Sequence, residues 1–379
     1  MDRKYMSLAL ELAARGQGRT SPNPAVGAVV VKEGKIIGQG YHLRAGTPHA
    51  EINAMKEAGE GARGATLYVT LEPCCHYGRT GPCTEAVIEA GIARAVVAMV
   101  DPNPAVSGKG IDKLRRAGIE VTLGVMEAEA RELNEVFVKY ITTGLPFVVA
   151  KAAVSLDGKI ATSAGESKWI TGPEARAYAH RLRDRYDAVM VGIGTVLADD
   201  PLLTARLPAG DGRDPVRVIL DSAARTPLHS KVLNRQSPAR TIIAVTAAAP
   251  REKTEALAAT GAEVLEVNEG PRVDLAELMR LLSKKEITSV LVEGGSAVHG
   301  SAFAAGIVDK VVWFIAPRII GGTTAPGPVG GRGVEDLTDA VKVERLKVHR
   351  LGEDLCIEGY VRQSTSVSVP SARSPAEAE

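Results

Sequence analysis

Two short stretches decide how the first half of this chain must fold: His49-Ala50-Glu51 and Leu71-Glu72-Pro73-Cys74-Cys75-His76-Tyr77-Gly78-Arg79-Thr80-Gly81-Pro82-Cys83. Together they offer one imidazole and two thiolates, His49, Cys74 and Cys83, which are ligand types that zinc prefers. Three protein ligands leave the fourth position of a tetrahedral ion open, as in catalytic zinc sites. The fold must therefore bring three separate segments to one point.

Glu51 adds a proton-transfer group to this pattern. His-x-Glu followed by two Pro-Cys pairs is typical of zinc nucleobase deaminases, in which the glutamate moves protons and does not bind the metal. Here eight residues separate Cys74 from Cys83. Pro82 predicts that a helix starts at Cys83, and the positive end of that helix favours a thiolate there.

A structural zinc site is the alternative interpretation, with Cys75 or His76 as the fourth ligand. A closed site of that kind has no use for a carboxylate beside its histidine, which favours the catalytic interpretation. Because Pro73-Cys74 matches the pattern, we take Cys74 as the ligand and expect Cys75 to pack or to face the site.

Composition limits the classes of partner. The chain has 379 residues, a net charge of +1 and only 4% aromatic residues. It therefore offers neither the positive field nor the stacking surface of a nucleic-acid-binding protein. The sequence contains no apolar run of about 18 residues, so no membrane-spanning helix is expected. Three of the four cysteines fall within the ten residues 74–83, which indicates metal-bound thiolates in a reducing cytoplasm.

Alternating helix and strand patterns predict an α/β fold in both halves. A hairpin is expected around Glu33-Gly34, and one long helix over 126–142. The glycine and proline that follow this helix suggest a boundary between a domain of residues 1–145 and a domain of residues 146–363. The remainder, 364–379, is rich in Ser, Pro, Ala and Glu and is predicted to be a disordered tail.

The second half carries weaker signals. The sequence Val292-Glu293-Gly294-Gly295-Ser296 follows a predicted strand and opens a helix, so its backbone N–H groups can face a phosphate. It is not the Gly-x-Gly-x-x-Gly fingerprint of an ordinary dinucleotide-binding fold. Arginines near residues 181–185 and Arg206 can bind a phosphorylated substrate, although most arginines are simply solvated.

In its motifs the chain resembles the bifunctional riboflavin-biosynthesis deaminase/reductase family over about residues 1–362. The motifs lie in the family's order: Ser21-Pro22-Asn23-Pro24, His49-Ala50-Glu51, the stretch 71–83, Asp101-Pro102-Asn103-Pro104, Lys151-Ala152-Ala153-Val154-Ser155-Leu156-Asp157-Gly158, Ser167-Lys168-Trp169-Ile170-Thr171, Thr195-Val196-Leu197-Ala198-Asp199-Asp200-Pro201 and Val292-Glu293-Gly294-Gly295. The family's own spacing includes the long interval between the two cysteines.

The resemblance implies an N-terminal cytidine-deaminase-like three-layer domain and a C-terminal dihydrofolate-reductase-like domain. It implies zinc-dependent hydrolytic deamination of 2,5-diamino-6-(5-phosphoribosylamino)pyrimidin-4-one. It also implies a subsequent NADPH-dependent reduction of the ribosyl group to ribityl. The expected partners are this phosphorylated substrate and further copies of the chain in a homo-oligomer, with no nucleic acid and no membrane.

Site residues follow from the resemblance, motif by motif. In the first half, Glu51 resembles the proton shuttle, His49, Cys74 and Cys83 the zinc ligands, and Asn23, His42, His76 and Arg79 the substrate contacts. In the second half, substrate positions are matched by Ser167, Arg183, Leu203, Arg206 and Glu293. Cofactor positions are matched by Ala153, Trp169, Thr195, Asp199, Gly295, Ser296, Ala297, Val298, His299, Gly300 and Ser301. Lys151 and Asp199 are the candidates for polarising or protonating the sugar, although Lys151 can equally be a solvated lysine at the end of a strand.

Two other functions compete with this interpretation. A deaminase of a nucleoside, nucleotide or tRNA base would not need the second-half motifs. A zinc-stabilised binding module without catalytic activity would not need Glu51.

Overall fold

The computed structural model describes residues 1–76, 81–104, 106–233 and 237–362. Arg79 and the predicted tail 364–379 lie outside the described residues. The chain forms two compact units: unit 1 consists of Met1–Val148 and Arg176–Gly295, and unit 2 of Val149–Ala175 and Ser296–Glu379. The predicted domain boundary between residues 145 and 146 stays a prediction.

Helices and strands alternate along the described residues, as the predicted α/β class requires, and that class is confirmed. The helices are α1 (Asp2–Ala14), α2 (Ala50–Ala58), α3 (Cys83–Glu89), α4 (Lys109–Arg116), α5 (Glu127–Leu133), α6 (Glu135–Thr143), α7 (Pro173–Arg185), α8 (Ile193–Asp199), α9 (Arg251–Ala259), α10 (Leu275–Ser283) and α11 (Ser296–Ala304). The strands are β1 (Gly27–Lys32), β2 (Lys35–Tyr41), β3 (Thr66–Val69), β4 (Arg94–Val97), β5 (Glu120–Leu123), β6 (Phe147–Ser155), β7 (Ala188–Gly192), β8 (Val216–Leu220), β9 (Thr241–Thr246), β10 (Glu263–Asn268), β11 (Ser289–Val292), β12 (Lys310–Ala316), β13 (Val343–Leu351) and β14 (Asp354–Val361). Among the described helices, none has both the length and the apolar character that crossing a membrane requires.

The first sheet of unit 1 has the order β2-β1-β3-β4-β5. Strand β1 pairs antiparallel with β2 and β3, and β3, β4 and β5 run parallel. The predicted hairpin is confirmed, because Glu33 and Gly34 both adopt positive φ, 51° and 75°, as a two-residue hairpin turn requires.

Glycines allow α2 to lie very close to the sheet. A Cβ atom added at Gly40 would lie 2.5 Å from the carbonyl oxygen of Ala50, and one at Gly38 would lie 2.1 Å from that of Ala54. Only glycine permits such an approach. The start of α2, with His49 at its N-cap, is therefore fixed against β2.

The prediction of one long helix over 126–142 is wrong. Two helices, α5 and α6, meet at Asn134, whose φ and ψ of −104° and 22° leave the helical region. The Asn134 side chain is buried, accepts a hydrogen bond from the Ala25 N–H at 2.9 Å and donates to the Ala25 carbonyl at 3.0 Å. This pairing with a distant backbone segment explains why the helix is interrupted there.

The remaining strands are divided between the two units. In unit 1, β10, β9, β8, β7 and β11 are neighbours in that order and run parallel. All five residues of β7 are buried. In unit 2, β6 pairs parallel with β12, and β12, β14 and β13 form antiparallel neighbours.

Candidate active site

Three segments of unit 1 bring the predicted metal ligands together. His49 caps α2, Cys74 follows the end of β3, and Cys83 is the first residue of α3. The Nδ1 atom of His49 lies 3.1 Å from Sγ of Cys83 and 3.6 Å from Sγ of Cys74. All three ligand atoms lie within 4.8 Å of one another.

These distances fit a single zinc ion. Bonds of about 2.0–2.3 Å from a tetrahedral zinc to nitrogen and sulfur place the ligand atoms roughly 3.5–3.8 Å apart, close to the observed separations. One imidazole with two thiols is also a donor set that zinc takes in catalytic sites. The site is therefore suited to hold zinc with three protein ligands.

The charges of the cluster support the same conclusion. Hydrogen bonding from the Cys83 thiol, despite burial, lowers the pKa of Cys74 to about 4, and the Cys83 backbone N–H also donates to Cys74 Sγ at 3.3 Å. The side-chain hydrogen bond between the two thiols raises the pKa of Cys83, and the hydrogen bond between His49 and Cys74 raises the pKa of His49. The three side chains thus share protons that a divalent cation can replace.

Glu51 lies in the first turn of α2, beside the cluster. Its side chain is only 3% exposed. Burial, followed by the negative charge of Cys74, raises the pKa of Glu51 to about 7. A carboxyl group in such a place can both accept and release a proton near neutral pH.

A cavity of about 440 Å³ opens onto this cluster. Its walls include His49, Glu51 and Cys74 together with the predicted substrate contacts Asn23, His42 and His76. The sequence prediction thus named six residues that the fold brings to one pocket.

His42 is held as a neutral ring. Burial is the main cause that lowers its pKa. Its Nδ1 lies 3.3 Å from the Pro48 carbonyl and its Nε2 lies 3.3 Å from Nδ2 of Asn23. This network assigns the proton to Nδ1, so that Nε2 accepts from the Asn23 amide.

Several pocket residues were missed by the sequence analysis. Asp101 and Asn103 belong to a motif that was noted without a role, and burial raises the pKa of Asp101 to about 6. Phe137 and Tyr140 of α6 also line the cavity, as does Glu286, which follows α10. The i, i+3 spacing of the two aromatic residues predicts that they share one face of a helix. It does not predict that this face lines the cavity.

Glu72 organises the loop behind the pocket. Its buried carboxylate accepts four backbone N–H groups, from Asp101 at 3.1 Å, Gly108 at 2.9 Å, Gly110 at 2.8 Å and Ile111 at 3.1 Å. Since Glu72 is two residues before Cys74, it ties the metal-ligand segment to the first turn of α4 and to the residues that precede this helix.

In unit 1, two predicted substrate residues of the second half pair with each other. The Arg183 guanidinium donates to both carboxylate oxygens of Glu293, at 2.6 and 2.9 Å, and also to the Thr204 carbonyl at 3.2 Å. Nearby, Nη2 of Arg206 lies 3.4 Å from the ring of His180. Arg183 and Arg206 therefore place two guanidinium groups near His180, whose pKa is lowered mainly by burial.

Other predicted residues of unit 1 lie near α8. Thr195 and Asp199 belong to this helix, Asp199 as its last residue, and a Cβ added at Gly295 would be 4.0 Å from Oγ1 of Thr195. Leu203 is buried in an apolar cluster with side chains of β7, β8 and β9.

The remaining predicted residues lie in unit 2. Lys151 and Ala153 are on β6, and Nζ of Lys151 lies 5.7 Å from the centroid of the Phe314 ring. Trp169 is 61% exposed, and its carbonyl accepts from Arg318 at 3.0 Å. Ser167 is half-buried.

Helix α11 carries the predicted residues Ser296, Ala297, Val298, His299, Gly300 and Ser301. His299 is buried, with Nδ1 at 3.0 Å from the Pro328 carbonyl. A Cβ at Gly300 would lie 2.1 Å from the Gly330 carbonyl, so glycine is needed for packing at that position.

Comparison with known proteins agrees with both halves of this description. Residues 1–99 match the cytidine and deoxycytidylate deaminase zinc-binding region, and residues 146–357 match the RibD C-terminal domain. The riboflavin biosynthesis protein RibD of Aquifex aeolicus is 51% identical over 357 residues, which cover 94% of this chain and 98% of that protein. The Escherichia coli protein of the same name is 44% identical over 368 residues, covering 94% and 98%.

Two solved structures are similar over nearly the whole chain. Acinetobacter baumannii RibD superposes with a TM-score of 0.86 at 41% identity, covering 96% of this chain and 99% of that one. The deaminase/reductase of Thermotoga maritima, named for diaminohydroxyphosphoribosylaminopyrimidine and 5-amino-6-(5-phosphoribosylamino)uracil, has a TM-score of 0.84 at 40% identity, covering 95% and 99%. This chain therefore belongs to the riboflavin biosynthesis protein RibD family.

Proposed function

We propose that this chain catalyses two consecutive reactions of riboflavin biosynthesis. The first is hydrolytic deamination of 2,5-diamino-6-(5-phosphoribosylamino)pyrimidin-4-one, and the second is reduction of the ribosyl group of the product to ribityl by NADPH. Membership of the family makes the chain a deaminase and a reductase. The observation that carries the deamination is the buried carboxyl of Glu51 beside three metal-ligand atoms in one cavity.

The chain's own residues account for the proton transfers of the first reaction. His49, Cys74 and Cys83 would hold a zinc ion, which when bound lowers the pKa of water to about 7 and so supplies a nucleophile at neutral pH. Glu51 accepts the proton of the attacking water and delivers it to the departing amino nitrogen. A carbon–oxygen bond forms, the exocyclic carbon–nitrogen bond breaks, and ammonia leaves.

Hydrogen-bonding side chains of this pocket are the proposed substrate contacts. The amide of Asn23 offers both a donor and an acceptor to the edge of a pyrimidine ring. His42 and His76 add further contacts, and Arg79 is the proposed cationic contact. Since the Asn23–His42 pair is uncharged, it suits the neutral ring of the substrate.

The second reaction is assigned to residues 146–363. Arg183, Arg206, Ser167, Leu203 and Glu293 are the proposed substrate residues, and the cationic groups near α7 suit a phosphate. NADPH is the proposed hydride donor, bound by Ala153, Trp169, Thr195, Asp199 and the turn 295–301. Lys151 and Asp199 are the proposed groups that polarise or protonate the sugar as hydride arrives.

The purified protein is to be incubated with the diaminopyrimidine ribosyl phosphate, with and without NADPH. Ammonia release and NADPH oxidation are followed separately. Glu51→Gln is expected to retain zinc and to slow ammonia release by at least about 10²-fold, while NADPH oxidation with the deaminated intermediate is unchanged. Glu57→Gln is the matched control, since Glu57 is an exposed residue of the same helix. Normal turnover by Glu51→Gln would show that another group moves the proton.

We further propose a homo-oligomeric state and a cytoplasmic location, because a reducing compartment keeps cysteine thiols free of disulfides and available to a metal. Strand β13 exposes Leu346 and Val348, each 60% accessible, which is a surface that a second copy can cover. Sedimentation of the purified protein measures the oligomeric state directly.

A further inference from the structure

The loop Gln17–Pro24, here called the pocket loop, carries the substrate-facing residue Asn23 to the cavity of the deamination site. We propose that Asp187, immediately before β7, is a positioning residue for that site, because it holds the pocket loop through Ser21 and thereby fixes Asn23 against His42. The inference rests on the proposed deamination. It assigns a role in the first reaction to a residue of the second half of the sequence.

The Asp187 carboxylate is the centre of the contact. It is 7% exposed, and its Oδ2 accepts hydrogen bonds from Oγ of Ser21 at 2.7 Å, from Oγ1 of Thr288 at 2.7 Å and from the Thr288 N–H at 3.0 Å. Oδ1 accepts from Arg213 at 3.2 Å. Hydrogen bonds to a carboxylate are stronger than those between neutral groups, so Ser21 has a well-defined position.

A second contact fixes the beginning of the pocket loop. Nη2 of Arg19 donates to Oδ1 of Asp184 at 2.8 Å. Gly18 has a φ of +73°, and a Cβ atom there would lie 2.7 Å from the Asp184 carbonyl. The loop therefore lies directly against the end of α7.

A small cavity borders the pocket loop. It has a volume of about 60 Å³ and is lined among others by Ser21, Asn23, Asp187 and Thr288. A loop that covers a cavity gains few of the contacts that would hold it in a close-packed interior. Its position consequently depends on the hydrogen bonds of Ser21 and Arg19, together with one that Nε2 of Gln17 donates to the Leu133 carbonyl at 2.9 Å.

Ser21 is close enough to Asn23 for this dependence to reach the pocket. The Asn23 N–H donates to the Thr20 carbonyl at 2.8 Å, so the two residues belong to one tight turn. Loss of the Ser21 anchor therefore allows Asn23 to move away from Nε2 of His42. Since a misplacement of about 1 Å can lower a rate by about 10²-fold, the effect on deamination is measurable.

The test uses the full-length, zinc-loaded protein with Ser21→Ala and Asp187→Asn, and with Ser21→Thr as the conservative variant that keeps the hydroxyl. Ser283→Ala is the matched control. The hydroxyl of Ser283 also joins the second half to the first, by donating to the Gly144 carbonyl, but it does not touch the pocket loop. Deamination, NADPH oxidation with the deaminated intermediate, and zinc content are measured for each variant, together with the side-chain NMR signals of His42.

We expect Ser21→Ala and Asp187→Asn to lower kcat/KM for deamination by about 10–100-fold, mainly through KM, with zinc content and NADPH oxidation unchanged. Ser21→Thr should restore most of the activity, and the His42 signals should shift in Ser21→Ala but not in Ser283→Ala. If Asp187→Asn does not fold, Ser21→Ala alone decides the question.

Unchanged His42 signals and deamination in Ser21→Ala would overturn the proposal, as would an equal loss in Ser283→Ala. The NMR readout requires no substrate. If the wild-type protein released no ammonia, the proposed function would fail, while the His42 signals would still decide whether Asp187 positions the pocket loop.

Discussion

Replacement of Glu72 by glutamine tests whether one buried carboxylate organises the wall of the deamination pocket. Both of its oxygens are used: Oε1 accepts from Gly110 and Ile111, and Oε2 accepts from Asp101 and Gly108. A glutamine has one carbonyl oxygen and one NH₂ group, so in either orientation two of the four buried N–H donors face another donor.

The cost follows from the two orphaned donors. Each buried polar group that loses its partner costs about 1–3 kcal/mol, which gives a loss of about 2–6 kcal/mol for Glu72→Gln. Domains of this size lose about 2–4 °C in Tm per kcal/mol, so we expect Tm to fall by at least about 4 °C. Since the residues before α4 supply Asp101, Asn103 and Val106 to the cavity, kcat/KM for deamination should fall as well.

Calorimetry of the zinc-loaded protein measures the change, and Glu85→Gln is the matched control. Glu85 makes a solvent-accessible ion pair with Lys113 at 2.8 Å, and such pairs contribute at most about 1 kcal/mol. If Glu72→Gln and Glu85→Gln melted within about 1 °C of each other, a difference far below the expected one, the four hydrogen bonds would not have the assigned strength.

Three further results are expected. Cys74→Ser and Cys83→Ser should abolish zinc binding while Cys75→Ser retains it, as measured by elemental analysis; zinc loss in Cys75→Ser alone would make Cys75 the ligand. Removal of zinc by a chelator should stop ammonia release without slowing NADPH oxidation. Loss of both activities together would contradict the assignment of zinc to the deamination alone. Arg183→Met leaves the buried Glu293 carboxylate without its bidentate partner, a change that costs about 3–5 kcal/mol of stability. Denaturation should show this lower stability, and NADPH oxidation should slow. An unaltered reductase activity would exclude Arg183 from the reductase site.

The metal cluster could be predicted from the sequence because its chemistry is encoded in short, local patterns. Imidazole and thiolates are ligands by residue type, and Pro82 marks the helix that presents Cys83. The hairpin at Glu33-Gly34 was equally local, since the turn needs two residues with positive φ. None of these predictions required knowledge of which distant segments meet.

Distant contacts account for what could not be predicted. The periodicity of residues 126–142 indicated a single helix, and nothing local in Asn134 shows that its amide will pair with the backbone of Ala25. Phe137 and Glu286 reach the same cavity from segments far apart in the chain. Similarly, the sequence offered Arg183 and Glu293 as two independent substrate contacts, whereas their mutual ion pair depends on tertiary structure.

The contacts of the pocket loop also give a physical reason for carrying both halves on one chain. Ser21 with Asp187 and Arg19 with Asp184 join segments more than 160 residues apart within one compact unit. Association of two separate proteins costs at least about 4 kcal/mol in lost translational and rotational freedom, which a few polar contacts of about 0.5–3 kcal/mol each offset poorly. A covalent connection makes the same contacts intramolecular and raises the effective concentration of the partners to the millimolar range. Contacts too weak to hold two proteins together can then hold Asn23 in place.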